Sequence, residues 1–238
     1  MSEPMRVQRA LARAGIASRR TADELVAAGR VTVNGAVAKI GQTVDADHDR
    51  IEVDGQRVGA PAKTTWLVLN KPAGIMTTKR DPEGRKTVFD LVPVTVGLTY
   101  VGRLDYLTEG VLLLTTDGAA AHALTHPSSQ IERRYVAVVR GDGHPAARQL
   151  VRGVELDDGI VEATEVEVEN VRRGVWSIGL TIVEGKNREV RRLCEAVGLE
   201  VLQLTRVRFG PVALGTLASG ETRGLFQKER QAIGALMK

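Results

Sequence analysis

Apolar positions recur along this chain with two different periods, and the changes of period mark out its elements. Val7, Ala10, Leu11 and Ala14 fall at the i, i+3, i+4, i+7 spacing of an amphipathic helix, and Gly15 is placed to end it. Arg6, Arg9 and Arg13 then share the opposite face. A second, short helix is signalled by Ser18 or Thr21 as N-cap, with Thr21 to Glu24 matching a capping box and Leu25 and Val26 turned inward before Gly29. Next, Val31 to Val37 sets Asn34-Gly35 between β-prone runs, and Ile51 to Val58 does the same with Asp54-Gly55, the pattern of two tight hairpins. The small, polar, Pro-containing stretch from Gly59 to Thr65 reads as a linker.

Beyond it the pattern changes. Trp66 to Leu69 and Val111 to Thr116 are continuous apolar runs, each closed by loop residues, and read as buried strands. Tyr135 to Val139, Glu165 to Val171 and Trp176 to Val183 add β-prone runs, the last two alternating as one-face-buried antiparallel strands do. Helices are expected at Ala119 to Thr125, Pro145 to Arg152 and Asn187 to Val197. Clustered strands without a steady βαβ rhythm make this an α+β domain with a mixed, mainly antiparallel sheet. A length of 238 residues fits two domains: residues 5–60 as a front module, 61–65 as a linker and 66–238 as the larger domain.

Composition excludes several classes. With 43% hydrophobic and 26% charged residues the chain can bury a core, so disorder over most of its length is excluded. No run approaches the roughly 18 apolar residues of a membrane helix, and the first residues carry arginine without an apolar core, so no membrane and a cytoplasmic location are expected. A single cysteine, Cys194, forms no internal disulfide or thiolate cluster; it reads as a small apolar helix residue. His122 and His126 are not spaced as a metal pair, so no metal is expected. The net charge of +4 is a weak hint of nucleic acid until it is located. Residues 1–30 hold Arg6, Arg9, Arg13, Arg19, Arg20 and Arg30 against three acids, and Lys186, Arg188, Arg191 and Arg192 crowd seven positions with one Glu. Two basic clusters imply a polyanion touched at two places.

The chain lacks a phosphate-binding Gly-Lys-Ser/Thr loop, a dinucleotide glycine fingerprint and a serine-hydrolase elbow, so chemistry without a cofactor is expected. Residues Tyr100 to Gly110 set Arg103 and Asp105 in a glycine-bounded loop directly before Val111-Leu112-Leu113-Leu114. A carboxylate at the rim of a core is either a turn-former or a site.

Gly102 to Gly118 resembles the signature G-R-L-D-x-x-T-x-G-L-L-L-L-T-x-D-G of ribosomal-RNA pseudouridine synthases. Leu69 to Gly74 resembles that family's L-N-K-P-x-G motif, Arg133 to Ala137 its R/K-x-Y-x-A segment, and Glu184 to Leu193 its E-G-x-x-x-Q-V-R-R-M block. Val111 stands for the usual Leu and Glu189 where Gln is frequent. The first 60 residues are similar to the S4 RNA-binding module, so the resemblance spans nearly the whole chain.

The resemblance implies an isomerase that converts uridine to pseudouridine, with Asp105 as nucleophile, Arg191 as the cation paired with it and Tyr135 stacked on the flipped uracil. It also implies ribosomal RNA, as precursor or assembly intermediate, for the partner, with the protein a monomer. Leu204 to Pro211 is more similar to the large-subunit branch; small-subunit RNA and tRNA are the alternatives. A non-catalytic S4-type RNA-binding factor is the alternative of another class, against which Asp105, Tyr135 and Arg191 together speak. Arg103, Lys71 and the pair Lys79-Arg80 are expected to hold flanking phosphates, contacts that position rather than specify. Extruding the nucleotide costs a few kcal/mol, least in loops, so loops and bulges fit best.

Overall fold

The structure, a computed structural model, describes residues 4–59 and 63–237. Positions 61 and 62 of the expected linker lie outside the described residues. The chain divides into two compact units. One takes Met1–Trp66 with the segments Val94–Thr99 and Thr115–Gly118; the other takes Leu67–Pro93, Tyr100–Leu114 and Ala119–Lys238. The front module expected from the sequence follows chain order and does not include those two inserted segments.

In the first unit, β1 (Met5–Arg6) leads directly into α1 (Val7–Arg13), followed by α2 (Arg19–Ala27), β2 (Val31–Val33), β3 (Ala36–Val37), β4 (Thr43–Val44), β5 (Ile51–Val53) and β6 (Gln56–Arg57). The apolar stripe of α1 does what its spacing requires: Val7, Ala10 and Leu11 are buried with Ala22, Val26, Val31, Val33, Val44 and Ile51 in one core. Ser18 is the N-cap of α2, its Oγ accepting from Thr21 N at 3.2 Å, and the alternative box from Thr21 to Glu24 is not used. Both hairpins form. Asn34 and Gly35 have φ of 54° and 84°, Asp54 and Gly55 of 52° and 76°, the left-handed pair that a two-residue turn between twisted strands needs.

The second unit is built on a nine-stranded sheet among the described residues. Its elements are β7 (Trp66–Lys71), β8 (Thr99–Val101), β9 (Thr108–Thr115), α3 (Gly118–Thr125), β10 (Arg133–Arg140), α4 (Gly143–Arg152), β11 (Val154–Leu156), β12 (Gly159–Val161), β13 (Thr164–Arg172), β14 (Val175–Ile182), α5 (Glu189–Ala196), β15 (Glu200–Phe209), β16 (Val212–Ala213), β17 (Thr222–Gly224) and α6 (Gln227–Ala235). The order across the sheet is β13-β14-β10-β15-β9-β7-β17, with β8 on β9 and β16 on β15; β11 and β12 form a separate hairpin. β9 and β15 run parallel, while β10 pairs antiparallel with both β14 and β15, so the sheet is mixed and mainly antiparallel. Val111 to Leu114 are buried on both faces, which is why β9 reads as an unbroken apolar run. Cys194 is buried in α5 and burial pushes its thiol up to about 12, as expected of an apolar helix residue. Among the described residues no helix is long and apolar enough to cross a membrane.

Candidate active site

Asp105 stands in the loop between β8 and β9, entered by Gly102 at φ 67°. The backbone on both sides of it is tied down residue by residue. Thr77 Oγ1 donates to Leu104 O at 2.8 Å, Gly74 N donates to Tyr106 O at 2.8 Å, and Arg191 Nη2 donates to Leu107 O at 3.1 Å. Lys71 Nζ donates to Pro72 O, Tyr106 O and Thr108 O at 2.9, 3.2 and 2.9 Å, and Thr108 N closes the turn on Asp105 O at 3.0 Å. The side chain of Asp105 is thereby presented from a fixed backbone, half-exposed, at the wall of a cavity of about 300 Å³.

The cavity is also lined by Tyr135, Arg133, Arg206, Phe209 and Glu189. Strand register explains the grouping. Tyr135 on β10 lies opposite Arg206 on β15, and Arg206 lies opposite Gly110 on β9, so the three form one row across the sheet. The register shifts between Arg134 and Tyr135, putting Arg208 opposite Arg134 but Arg206 opposite Tyr135. Arg208 thus reaches Glu132 and Glu165, while Arg206, two residues earlier, goes to the cavity. Gly110 has φ 103°, and a Cβ there would lie 2.8 Å from Arg206 N, so only glycine allows β9 and β15 to meet.

Three of the charged groups lining the cavity, Arg133, Glu189 and Arg206, are buried. Arg133 is 8% exposed and donates to the carbonyls of Ile131, Val183 and Glu184; burial lowers its pKa, with Arg206 adding to the effect. Arg133 and Arg206 stack on Phe209, at 5.4 and 5.1 Å from its ring centre. Glu189, in the first turn of α5, accepts from Lys186 N at 3.3 Å, and burial raises its pKa.

Several expected roles change on this geometry. Lys71 cannot hold a phosphate: it is fully buried, and its donors are spent on three carbonyls. Burial lowers its pKa to about 8, against the pull of Asp105 and Glu109. Arg192 is bonded bidentately to Asp158 at 2.9 Å for each contact, and Lys186 to Glu184 at 2.6 Å and to Asp158 O at 3.0 Å, so both brace the β11–β12 turn. Arg191 does not share a solvent face with Arg188 and Arg192. It is 7% exposed, and burial, then Arg188, lower its pKa, while Asp105 favours its charge. Among the described residues no direct ion pair joins Arg191 to Asp105; the link runs through the field and through Leu107 O. Arg103 and Arg188 are exposed at the cavity wall, Arg188 at 3.9 Å from Glu195. Lys79 and Arg80 line a separate depression with Asp81, Arg85 and Lys86.

In the first unit Arg6, Arg9 and Arg19 line one groove of about 340 Å³ with Gln8 and Thr43. Arg13 does not join them. Arg6 precedes the helix, in β1, and donates to Gly41 O, so the face drawn by helical spacing is broken. Arg13 sits in another depression beside Ala10 and Asp49, with Nη1 3.9 Å from Met5 Sδ. Arg20 is exposed outside both.

Residues 65–196 match the family model of RNA pseudouridylate synthases, and residues 5–51 that of the S4 domain. A ribosomal large subunit pseudouridine synthase B of Pseudomonas aeruginosa is 44% identical over 94% of this chain and 60% of the relative. That of Xylella fastidiosa is 42% identical over 98% of this chain and 51% of the relative, so the chain spans about half the length of curated relatives it matches. An uncharacterized RNA pseudouridine synthase of Mycobacterium leprae is 42% identical over 94% of this chain and 90% of its own. Among solved structures, one titled "Crystal structure of pseudouridylate synthase" aligns with a TM-score of 0.66 and 26% identity, covering 96% of this chain and 99% of that one. With the family model matched over more than half its length, the chain belongs to the RNA pseudouridylate synthases, with an S4 domain in front of the synthase domain.

Proposed function

We propose that the protein isomerises a uridine of large-subunit ribosomal RNA to pseudouridine, acting as a monomer in the cytoplasm. One observation carries the reading: Asp105, held by a backbone bonded at Leu104, Tyr106, Leu107 and Thr108, shares a cavity with the ring of Tyr135. The isomerisation breaks the N1–C1′ bond, turns the base and joins C5 to C1′, with no redox change and no net hydrolysis. A carboxylate serves it by capturing C1′ or by taking the C2′ proton, and no second carboxylate is needed to activate water. Tyr135, 8% exposed beside the cavity, offers a face on which an extruded uracil stacks. Exposed Arg103, and Arg188 whose contact with Glu195 is long at 3.9 Å, are placed to take phosphates at the mouth. The large-subunit preference is supported by the names of the Pseudomonas and Xylella relatives.

The test uses transcripts of large- and small-subunit RNA labelled with tritium at uridine C5, which loses its hydrogen when it bonds C1′. The intact protein is expected to release tritium from the large-subunit transcript alone, and Asp105→Asn to be at least about 100-fold slower. Release only from small-subunit RNA overturns the substrate; no release from either overturns the isomerase.

A further inference from the structure

Arg206 is a cavity residue that the sequence motifs leave without a role. It is 2% exposed, among the largest fully buried side chains of the protein. Its Nε donates to Val111 O at 2.9 Å, but its Nη2 is buried with no hydrogen-bond partner, and among the described residues no carboxylate pairs with it. A buried guanidinium without a counter-charge is expensive and persists only where something else compensates it. Phe209, at 5.1 Å, offers a ring face and no acceptor. The cavity that Arg206 lines with Asp105 and Tyr135 has room for an acceptor, and the register puts Arg206 beside Tyr135, where a stacked base would lie.

We propose that Arg206 is a catalytic residue that donates a hydrogen bond to a carbonyl oxygen of the extruded uracil and stabilises the charge the base acquires as it leaves the ribose. The inference rests on the isomerase reading above. When the N1–C1′ bond breaks, its electron pair goes with the base and spreads onto O2 and O4, whether Asp105 captures C1′ or removes the C2′ proton. C5 then bonds C1′ as the Asp105–C1′ bond breaks, or as the proton held by Asp105 returns to C2′; the C5 proton departs to solvent and N1 takes up a proton, so Asp105 is regenerated and atoms and electrons balance. A fixed cation in a partly dry cavity favours that charged state over the neutral bound nucleotide. Asp105 acts at the ribose and Arg206 at the base, from opposite ends of the breaking bond.

The experiment begins with the wild-type protein on the tritiated transcript, and carbodiimide modification with primer extension on the product locates the target; if no tritium is released, the isomerase reading has failed and not this one alone. R206Q and R206K are then compared with wild type in single turnover, and in binding to RNA carrying either uridine or an abasic ribose at the target. R206Q is expected to lose at least about 100-fold in rate and R206K about tenfold. Affinity for abasic RNA should stay within about twofold, since no base is there to contact. A folded variant that keeps its rate within about threefold overturns the proposal, and so does equal loss of affinity for abasic and uridine RNA, the mark of a structural role. A second arm needs no variant. Wild type is given RNA with 2-thiouridine or 4-thiouridine at the target, and conversion is followed by chromatography of nuclease digests. Sulfur accepts poorly but makes the base a better leaving group, so a tenfold or greater slowing with one of the two supports a contact to that carbonyl. Both thio-substrates converting within about threefold of uridine overturns it.

Discussion

Lys71 Nζ donates to Thr108 O at 2.9 Å, tying the interior end of β7 to the residue where the Asp105 loop becomes β9. The same ammonium holds the carbonyl of Tyr106, so two of the three residues after Asp105 hang on one buried cation and Leu107 on another, Arg191.

Lys71→Met keeps most of the volume but takes a donor from Pro72 O and Thr108 O, while Tyr106 O retains Gly74 N. Buried acceptors left open cost about 1–3 kcal/mol each, and removing the charge also removes its desolvation penalty, so a net loss of about 1–3 kcal/mol is expected in denaturant unfolding. The sharper effect should be on rate. A loop no longer held against β7 misplaces Asp105, and kcat should fall at least about tenfold with KM for RNA nearly unchanged. A KM effect alone would return Lys71 to phosphate binding.

The pKa of about 8 at Lys71 gives a signed pH dependence. Below it the amine is charged in folded and unfolded chains alike. Between pH 8 and the ordinary lysine value of 10.5 only the unfolded chain holds the proton, so this group's contribution to stability rises with pH and is lost as pH falls through 8. Activity should move the other way, because the neutral amine loses one donor and the positive field at Asp105. Single-turnover rates should therefore decline with one ionisation near pH 8 while unfolding free energy does not decline through this group. The Lys71→Met protein should lack that limb.

Gly110→Ala tests the close approach of β9 and β15. The added Cβ would meet the backbone of Arg206, which cannot turn aside as a side chain end can, and φ 103° is itself unfavourable for alanine. A loss of about 3 kcal/mol or more in denaturant unfolding is expected, together with lost activity as the row from Gly110 to Tyr135 spreads. Near-wild-type stability would mean that the strands separate without cost.

What could be read in the sequence follows from how local each signal is. The β-prone run at Tyr135, the alternating run at Trp176, the stripe of α1 and the two turn dipeptides are decided within a few residues, and they appear within about two residues of where they are expected. The strand from Glu200 to Phe209 was not seen, since charged residues interrupt its pattern, and α6 carries little apolar periodicity. Asp105 and Tyr135 stood in long motifs, and the structure brings both to one cavity. Arg206 did not stand out: Arg206-Val207-Arg208 read as alternation puts both arginines on one face, and the register shift that separates them depends on β10, some 70 residues away. Burial is equally non-local. Lys71, Lys186 and Arg192 look like free cations until Thr108 is brought to the first and Asp158 to the other two.

Cations free to meet RNA and cations already paired should respond differently to substitution. Arg9 and Arg19 line the groove of the first unit with no ion pair among the described residues, whereas Arg192 is committed to Asp158, which raises its pKa. Each phosphate contact removed lowers the dependence of log K on log salt by about 0.7–0.9 and weakens binding without regard to sequence. The double substitution Arg9→Ala with Arg19→Ala should therefore flatten the salt slope of binding to a large-subunit RNA fragment by one to two such steps and raise KM. Its kcat at saturating RNA should be nearly unchanged, because Asp105, Tyr135 and Arg206 are untouched. Arg192→Ala should leave the slope alone and loosen the β11–β12 turn instead, measured as lower stability. Should Arg192→Ala flatten the slope as much as the double substitution, the Asp158 pair opens when RNA binds, and the division drawn between free and committed cations is wrong. Should the double substitution leave slope and KM where they were, the groove of the first unit is not where RNA docks.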